Sequence, residues 1–183
     1  MIAVLEVPAI RQRAMRFSVK DYHRFTEGQP TELLRGTIIQ KMSKSPLHQF
    51  HADRLRKILS AQISPEWIVR QEGPLTFRDS EPEPDVAVVS GPEERYRHTH
   101  PNTATLVIEV AVSSLEVERV KASIYAEAGV AEYWIVCPDK KQVEIYRGPG
   151  AAGYAECTML GAPAVIDCAT LPGVCVDLAA LFA

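Results

Sequence analysis

TLVIEVAV, residues 105–112, is an apolar run with one acid inside it. Unbroken β-branched and apolar residues of this kind mark a strand covered on both faces, as in the interior of a sheet with helices against it. Alternation along such a strand sends Leu106, Ile108, Val110 and Val112 to one face, and Val107, Glu109 and Ala111 to the other. Glu109 therefore stands where Val or Ile is expected. An ionised carboxylate there is costly to bury unless something neutralises it. The side chains beside it on its own face are modest, which leaves room for an ion or a substrate.

Two further residues break their local pattern in the same way. In EPEPDVAVVS, residues 81–90, Asp85 opens a second apolar run directly after Pro84. In VERVKASIYAEAGV, residues 117–130, Lys121 lies on the apolar stripe of a helix, with Val117, Ile124, Tyr125 and Ala128 on the same face. Taken alone, a strand Glu is more often paired with an arginine, and a lone Lys more often snorkels to water. Together they read differently. Two converging carboxylates repel unless a cation lies between them. Mg²⁺ is commonly held by one or two carboxylates, with waters and a substrate phosphate completing its shell. A lysine beside such an ion can stabilise an anionic transition state. Asp85, Glu109 and Lys121 thus point to a metal-dependent hydrolytic site.

Working outward, Phe17 to Thr26 is expected to form a short helix, with Ser18 as N-cap and Asp21 closing a capping box. TELLRGTIIQKMS, residues 31–43, reads as two extended pieces turning at Arg35-Gly36. A helix is expected over roughly 47–62, with His51, Leu55, Ile58, Leu59 and Gln62 on one face. Strands are expected at Trp67–Gln71, Leu75–Phe77, Asp85–Val89, Leu106–Val112, Glu132–Cys137 and Gln142–Tyr146, with a weaker one near 154–160. The helix Val117–Ala128 should end at Gly129, and a short helix, Val176–Phe182, should close the chain. GPEERYRHTHPN, residues 91–102, is a polar loop. The class is α/β (α+β): a mixed central β-sheet flanked by helices.

The 183 residues suit one domain over 1–183, with 1–16 as a loosely ordered arm. No apolar run approaches the ~20 residues of a membrane span. The apolar start MIAVLEV is interrupted by Glu6 and followed, not preceded, by its basic residues, which argues against a signal peptide. Cys137, Cys157, Cys168 and Cys175 have no zinc-site spacing, so reduced thiols in a cytoplasmic protein are expected. Residues 1–80 carry 13 Lys/Arg against 8 Asp/Glu, and residues 81–183 carry 7 against 15. A basic half could meet a polyanion while an acidic half collects a cation; uneven surface charge with no partner explains the split equally well.

The order Pro-Asp, strand Glu, helix Lys resembles the PD-(D/E)xK nuclease superfamily. More narrowly, TELLRGTIIQKMSKSPLHQ, EPEPDVAVV, LVIEVAVSS, KASIYAEAGVAEYWIV and LPGVCVDLAALF resemble the Uma2 family of restriction-endonuclease-like proteins, from about Phe17 to Phe182. That resemblance implies a restriction-endonuclease-like fold. It implies a Mg²⁺ (or Mn²⁺) ion on Asp85, Glu109 and the backbone carbonyl of Val110, with no organic cofactor. Lys121 matches the family's helix-borne lysine, and Glu32 the acid of its E-L-x-x-G segment, which could help hold the metal or its water; an exposed hairpin charge is the alternative for Glu32. His48 matches a His before the second helix that could contact phosphate or bond to Glu32, and Gln71 an auxiliary or nucleic-acid position. The family pattern departs at AVSSLEVERVK, where Val117 stands at a usual Asp and Glu116 or Glu118 could substitute. The implied activity is metal-dependent hydrolysis of DNA phosphodiester bonds by a homodimer, with Arg54, Arg56 and Lys57 contacting the DNA backbone. The EYWIVC strand and the apolar tail could supply the dimer surface, and burial in the core explains both equally well. The alternative is a non-catalytic nucleic-acid- or protein-binding module on the same fold. A hydrolase acting on a different substrate would use identical residues.

Overall fold

A computed structural model describes residues 13–183. Its elements in chain order are α1 (Val19–Thr26), β1 (Thr31–Leu34), β2 (Thr37–Gln40), α2 (Pro46–Ser60), β3 (Trp67–Gln71), β4 (Val86–Ser90), β5 (Leu106–Val110), α3 (Leu115–Glu127), β6 (Glu132–Cys137), β7 (Gln142–Gly150), β8 (Gly153–Gly161), β9 (Val165–Asp167), β10 (Cys175–Asp177) and α4 (Leu178–Leu181). Six strands form one mixed sheet in the order β3-β4-β5-β6-β7-β8. Only β5 and β6 run parallel within it, and α3 supplies the crossover that a parallel pair requires.

The alternation read in β5 sorts the core into two layers. Leu106, Ile108 and Val110 pack with Ala52, Leu55 and Leu59 of α2 and with Leu178, Leu181 and Phe182 at the chain's end. Val107 and Ala111 pack with Ala122 and Tyr125 of α3 and with Tyr133 and Ile135 of β6. The sheet is thus covered on both faces, as its uninterrupted apolar strands demand.

Local chemistry sets the ends of the elements that reach the site. Ser18 and Asp21 cap α1 reciprocally. Ser45 accepts the His48 amide and Pro46 occupies the first turn of α2, so Ser-Pro fixes where that helix begins. The hairpin β1–β2 turns through Arg35 (φ 48°) and Gly36 (φ 71°), the doubly left-handed turn that matches strand twist. A β-carbon at Gly36 would lie 2.9 Å from Cβ of Arg16, so the close approach also requires glycine. Leu33 and Glu81 exchange backbone bonds (2.7 and 3.4 Å), which lays the hairpin against the segment leading into β4.

Several expectations change. Leu75–Phe77 is not a strand: its amides bond to the carbonyls of Pro82, Pro101 and Ser80, a loop arrangement following Pro74. Val176 belongs to β10, and α4 begins at Leu178, capped by Asp177. β7 runs on to Gly150, and a short 3-10 turn, Glu93–Tyr96, sits inside the polar loop. EYWIVC is buried throughout between β5 and β7, so it cannot form a dimer surface. The expected N-terminal arm lies mostly outside the described residues; Arg16 donates to the Arg35 carbonyl at 3.0 Å. Cys137 and Cys168 are buried, Cys157 and Cys175 exposed, and all four are free thiols. Among the described residues no helix is long and apolar enough to cross a membrane.

Candidate active site

β4 and β5 are antiparallel with Val86 opposite Ile108, a register that continues to place Asp85 opposite Glu109. The backbone then locks the two acids together. The Asp85 amide donates to Glu109 Oε2 at 3.3 Å, and the Val110 amide donates to Asp85 Oδ2 at 2.8 Å. This bond uses the Val110 amide; the carbonyl expected to ligate an ion is a separate atom.

Lys121 approaches from α3. Its Nζ lies 3.1 Å from Glu109 Oε1, 3.1 Å from Glu32 Oε2 and 3.1 Å from Glu118 Oε2. Tyr125, one turn further on, donates to Glu109 Oε1 at 2.8 Å. Glu32 on β1 also accepts the Glu83 amide at 2.7 Å. The helix face is rotated from the expected one. Val117 is half exposed, and Glu118, Lys121, Ala122 and Tyr125 turn inward. Glu118 thus takes the acid's place beside the lysine, while Glu116 points to solvent and pairs with Arg119.

The loop between β2 and α2 closes the other side. Lys44 Nζ is 2.9 Å from Asp85 Oδ1 and 3.1 Å from Glu72 Oε1. His48 Nε2 is 2.9 Å from Asp85 Oδ2, so this ring meets Asp85 rather than Glu32. Gln71 stands away from the cluster and donates to Asp53 on α2 at 2.8 Å. Arg54 is likewise engaged, donating to the carbonyls of Ala180, Leu181 and Ala183 and lying over Phe50, which removes it from the expected DNA-facing set.

Asp85, Glu109, Lys121, Glu32 and Glu118 are only 3–7% exposed, yet all line one open cleft of about 180 Å³. Ile39, Met42 and Val117 give that cleft apolar walls. The electrostatics follow from crowding. Burial, opposed by Lys121 but reinforced by Glu118, Asp85 and Glu32, pushes the Glu109 carboxyl well above the usual range. Burial also works against Asp85, but His48, Lys44 and the Val110 amide outweigh it and hold its carboxyl below the usual range. Burial likewise opposes a charged Lys121, and the surrounding carboxylates overcome it and keep the ammonium protonated.

This donor set suits a hard divalent cation. It is all oxygen, with four buried carboxylates around a single buried ammonium. Glu118 Oε2 is buried and accepts no hydrogen bond, its approach to Lys121 being a charge contact only. Among the described residues no three His, Cys, Asp or Glu side chains form a ready ligand cage. Asp85 and Glu109 alone match the one or two carboxylates that Mg²⁺ typically takes from a protein.

A family model described as "Putative restriction endonuclease", Uma2, matches residues 19–179. The chain belongs to the Uma2 family. The match spans every element from α1 to β10 and contains all the residues of the cluster. A solved structure, titled a "putative nuclease belonging to DUF820" from Anabaena variabilis, superposes with a TM-score of 0.77 at 20% identity, covering 91% of this chain and 97% of that one. At that identity the likeness is one of fold. No curated protein matches the chain.

Of the cluster's members, Tyr125 and Lys44 escape a reading of the sequence as site residues, and Glu118 enters only as one of two acids that could stand in for the usual Asp. Tyr125 looks like a core aromatic. Lys44 sits in a Ser-rich loop with no periodicity to violate.

Proposed function

We propose that this Uma2 protein is a Mg²⁺- or Mn²⁺-dependent nuclease that hydrolyses DNA phosphodiester bonds in the cleft between β5, α3 and the β2–α2 loop. The observation that carries the reading is the meeting of Asp85, Glu109 and Lys121 at the foot of one open cleft. Asp85 and Glu109 are the residues that would hold the ion, with Glu32 and Glu118 beside them. Once bound, it would polarise the phosphate and lower the pKa of a water molecule. The chain's own groups do the remaining work. Glu32, Glu109 and Glu118 fix Lys121, and Tyr125 orients Glu109; the ammonium faces developing negative charge on phosphorus-bound oxygen. His48 and Lys44 present N–H groups on the opposite wall. The basic excess of residues 1–80, with Arg56 and Lys57 on α2, suits contact with the DNA backbone without reading its sequence.

The test is cleavage of plasmid or oligonucleotide DNA with and without Mn²⁺. Cleavage should require the metal and disappear in the Asp85→Ala, Glu109→Ala double variant; cleavage surviving in that variant would remove the site from the reaction. A second reading, a non-catalytic binding module on the same fold, is favoured by the occupation of Asp85 by Lys44 and His48. It predicts no Mn²⁺ binding by calorimetry at millimolar concentrations.

We expect the chain to work as a homodimer in the cytoplasm, folded as one domain. Its dimer surface lies elsewhere than β6, and light scattering reads the oligomeric state directly.

A further inference from the structure

Every oxygen of Asp85 is already in use. Oδ2 takes the Val110 amide and His48 Nε2, and Oδ1 takes the ammonium of Lys44. Of these three partners only Lys44 is mobile by design. The Val110 amide is part of β5, and the short His48 side chain springs from the first turn of α2, whose start the Ser45 cap sets. Lys44 is a long flexible side chain on a loop, still 29% exposed, and it has a second carboxylate, Glu72, to rest on. Glu72 is held there at a cost, because its backbone is left-handed (φ 52°) without being glycine. Side chains rarely accept that conformation, and such strain persists where the surroundings enforce it. A strained residue thus presents a carboxylate to the one removable cation on Asp85.

We infer that Lys44 is a stand-in counter-ion for Asp85 in the metal-free chain, displaced onto Glu72 when a divalent cation takes the carboxylate. The inference rests on the reading that Asp85 helps hold such an ion. Lys44 neutralises Asp85 while the cleft is empty, and its departure is a term in every metal-binding event. Glu72 keeps that term small by retaining the ammonium when Asp85 lets it go.

The test is Mn²⁺ titration by calorimetry, in parallel with thermal unfolding in chelator, on the full chain. Lys44→Met should bind Mn²⁺ more tightly by about tenfold, the size expected for release from one charge-assisted hydrogen bond. Lys41→Met removes an equal charge from the same loop, but its partner is Glu83 at 2.9 Å, so it reports general electrostatics alone and should fall well short of that gain. Glu72→Gln should weaken Mn²⁺ binding in the natural background and have no such effect when combined with Lys44→Met. In chelator, Lys44→Met should melt lower than the natural chain, and saturating Mn²⁺ should close the gap. Equal affinities for Lys44→Met and Lys41→Met, or a Glu72→Gln effect that persists without Lys44, would overturn the inference while leaving a metal site in place. Absence of Mn²⁺ binding in the natural chain and in all four variants would overturn the metal reading itself, and this inference with it. Binding that appears only in Lys44→Met would support the displacement directly.

Discussion

Lys121 has carboxylates of Glu32, Glu109 and Glu118 at 3.1 Å and is only 4% exposed at the foot of the cleft, so under the proposed reaction it would be both reagent and structural pin. Lys121→Met should therefore abolish cleavage and also destabilise the fold by about 3–5 kcal/mol, because three buried acids lose their shared cation. Urea denaturation separates the two effects, since added Mn²⁺ should recover part of the lost stability and none of the activity. His51 offers a second residue-level outcome. It is buried between Phe50 and Phe182, and burial, then Arg54 and the nearby His48, hold its ring below the usual imidazole range, against a hydrogen bond to the Leu181 backbone carbonyl. The folded ring accepts a proton less readily than the unfolded one. Its contribution is intact above about pH 6.5 and is lost as the pH falls below that value. His51→Gln should flatten the change in urea midpoint between about pH 7 and pH 5; an unaltered slope would place the pH dependence elsewhere. Glu109 and Lys121 are legible in the sequence because each breaks a strong local period. Tyr125 and Lys44 break none, and only tertiary contact reveals them; Glu118 is offered by the sequence beside Glu116, and only tertiary contact chooses between the two.

Elements impose their own demands through their ends. Gly129 follows α3 in a left-handed conformation (φ 72°), where a would-be β-carbon meets only Thr103 Oγ1, at an unstrained 4.0 Å. Gly129→Ala should cost about 1 kcal/mol, from backbone strain alone. Gly36→Ala adds a collision with Arg16 to the same strain and should cost about 2 kcal/mol or more. Guanidinium melts of the two variants give the order directly, and a reversed order would show that the β1–β2 hairpin yields more easily than its contacts imply. That hairpin delivers Glu32, so Gly36→Ala should also weaken Mn²⁺ binding, whereas Gly129→Ala should not. The hairpin, β3 and the α3 cap can all be read from turn residues and periodicity. β9 and β10 cannot, since three-residue strands between Pro, Gly and Thr carry too little alternation. Leu75–Phe77 misleads in the opposite direction, its apolar character reflecting burial beneath Tyr125 rather than strand pairing.

At the scale of the whole molecule, Glu132 ties the tail to the sheet. It is fully buried and accepts from Trp134 Nε1, Arg147 and the Ala169 amide at 2.8–3.0 Å. Glu132→Gln leaves donors facing donors and should lower stability by about 2–4 kcal/mol, read as a fall in melting temperature. The cleft lies at the other end of β5, so Mn²⁺ affinity should hardly change. The four sulfurs sharpen the experiment. Cys157 and Cys175 are open to solvent, whereas Cys137 and Cys168 are covered and burial raises their thiol pKa. A coloured alkylating reagent should consume two equivalents at once and the other two only as fast as the chain opens. Since Cys168 lies 3.4 Å from Glu132, the third equivalent becomes a clock for release of the C-terminal segment, and it should run faster when that acid is replaced.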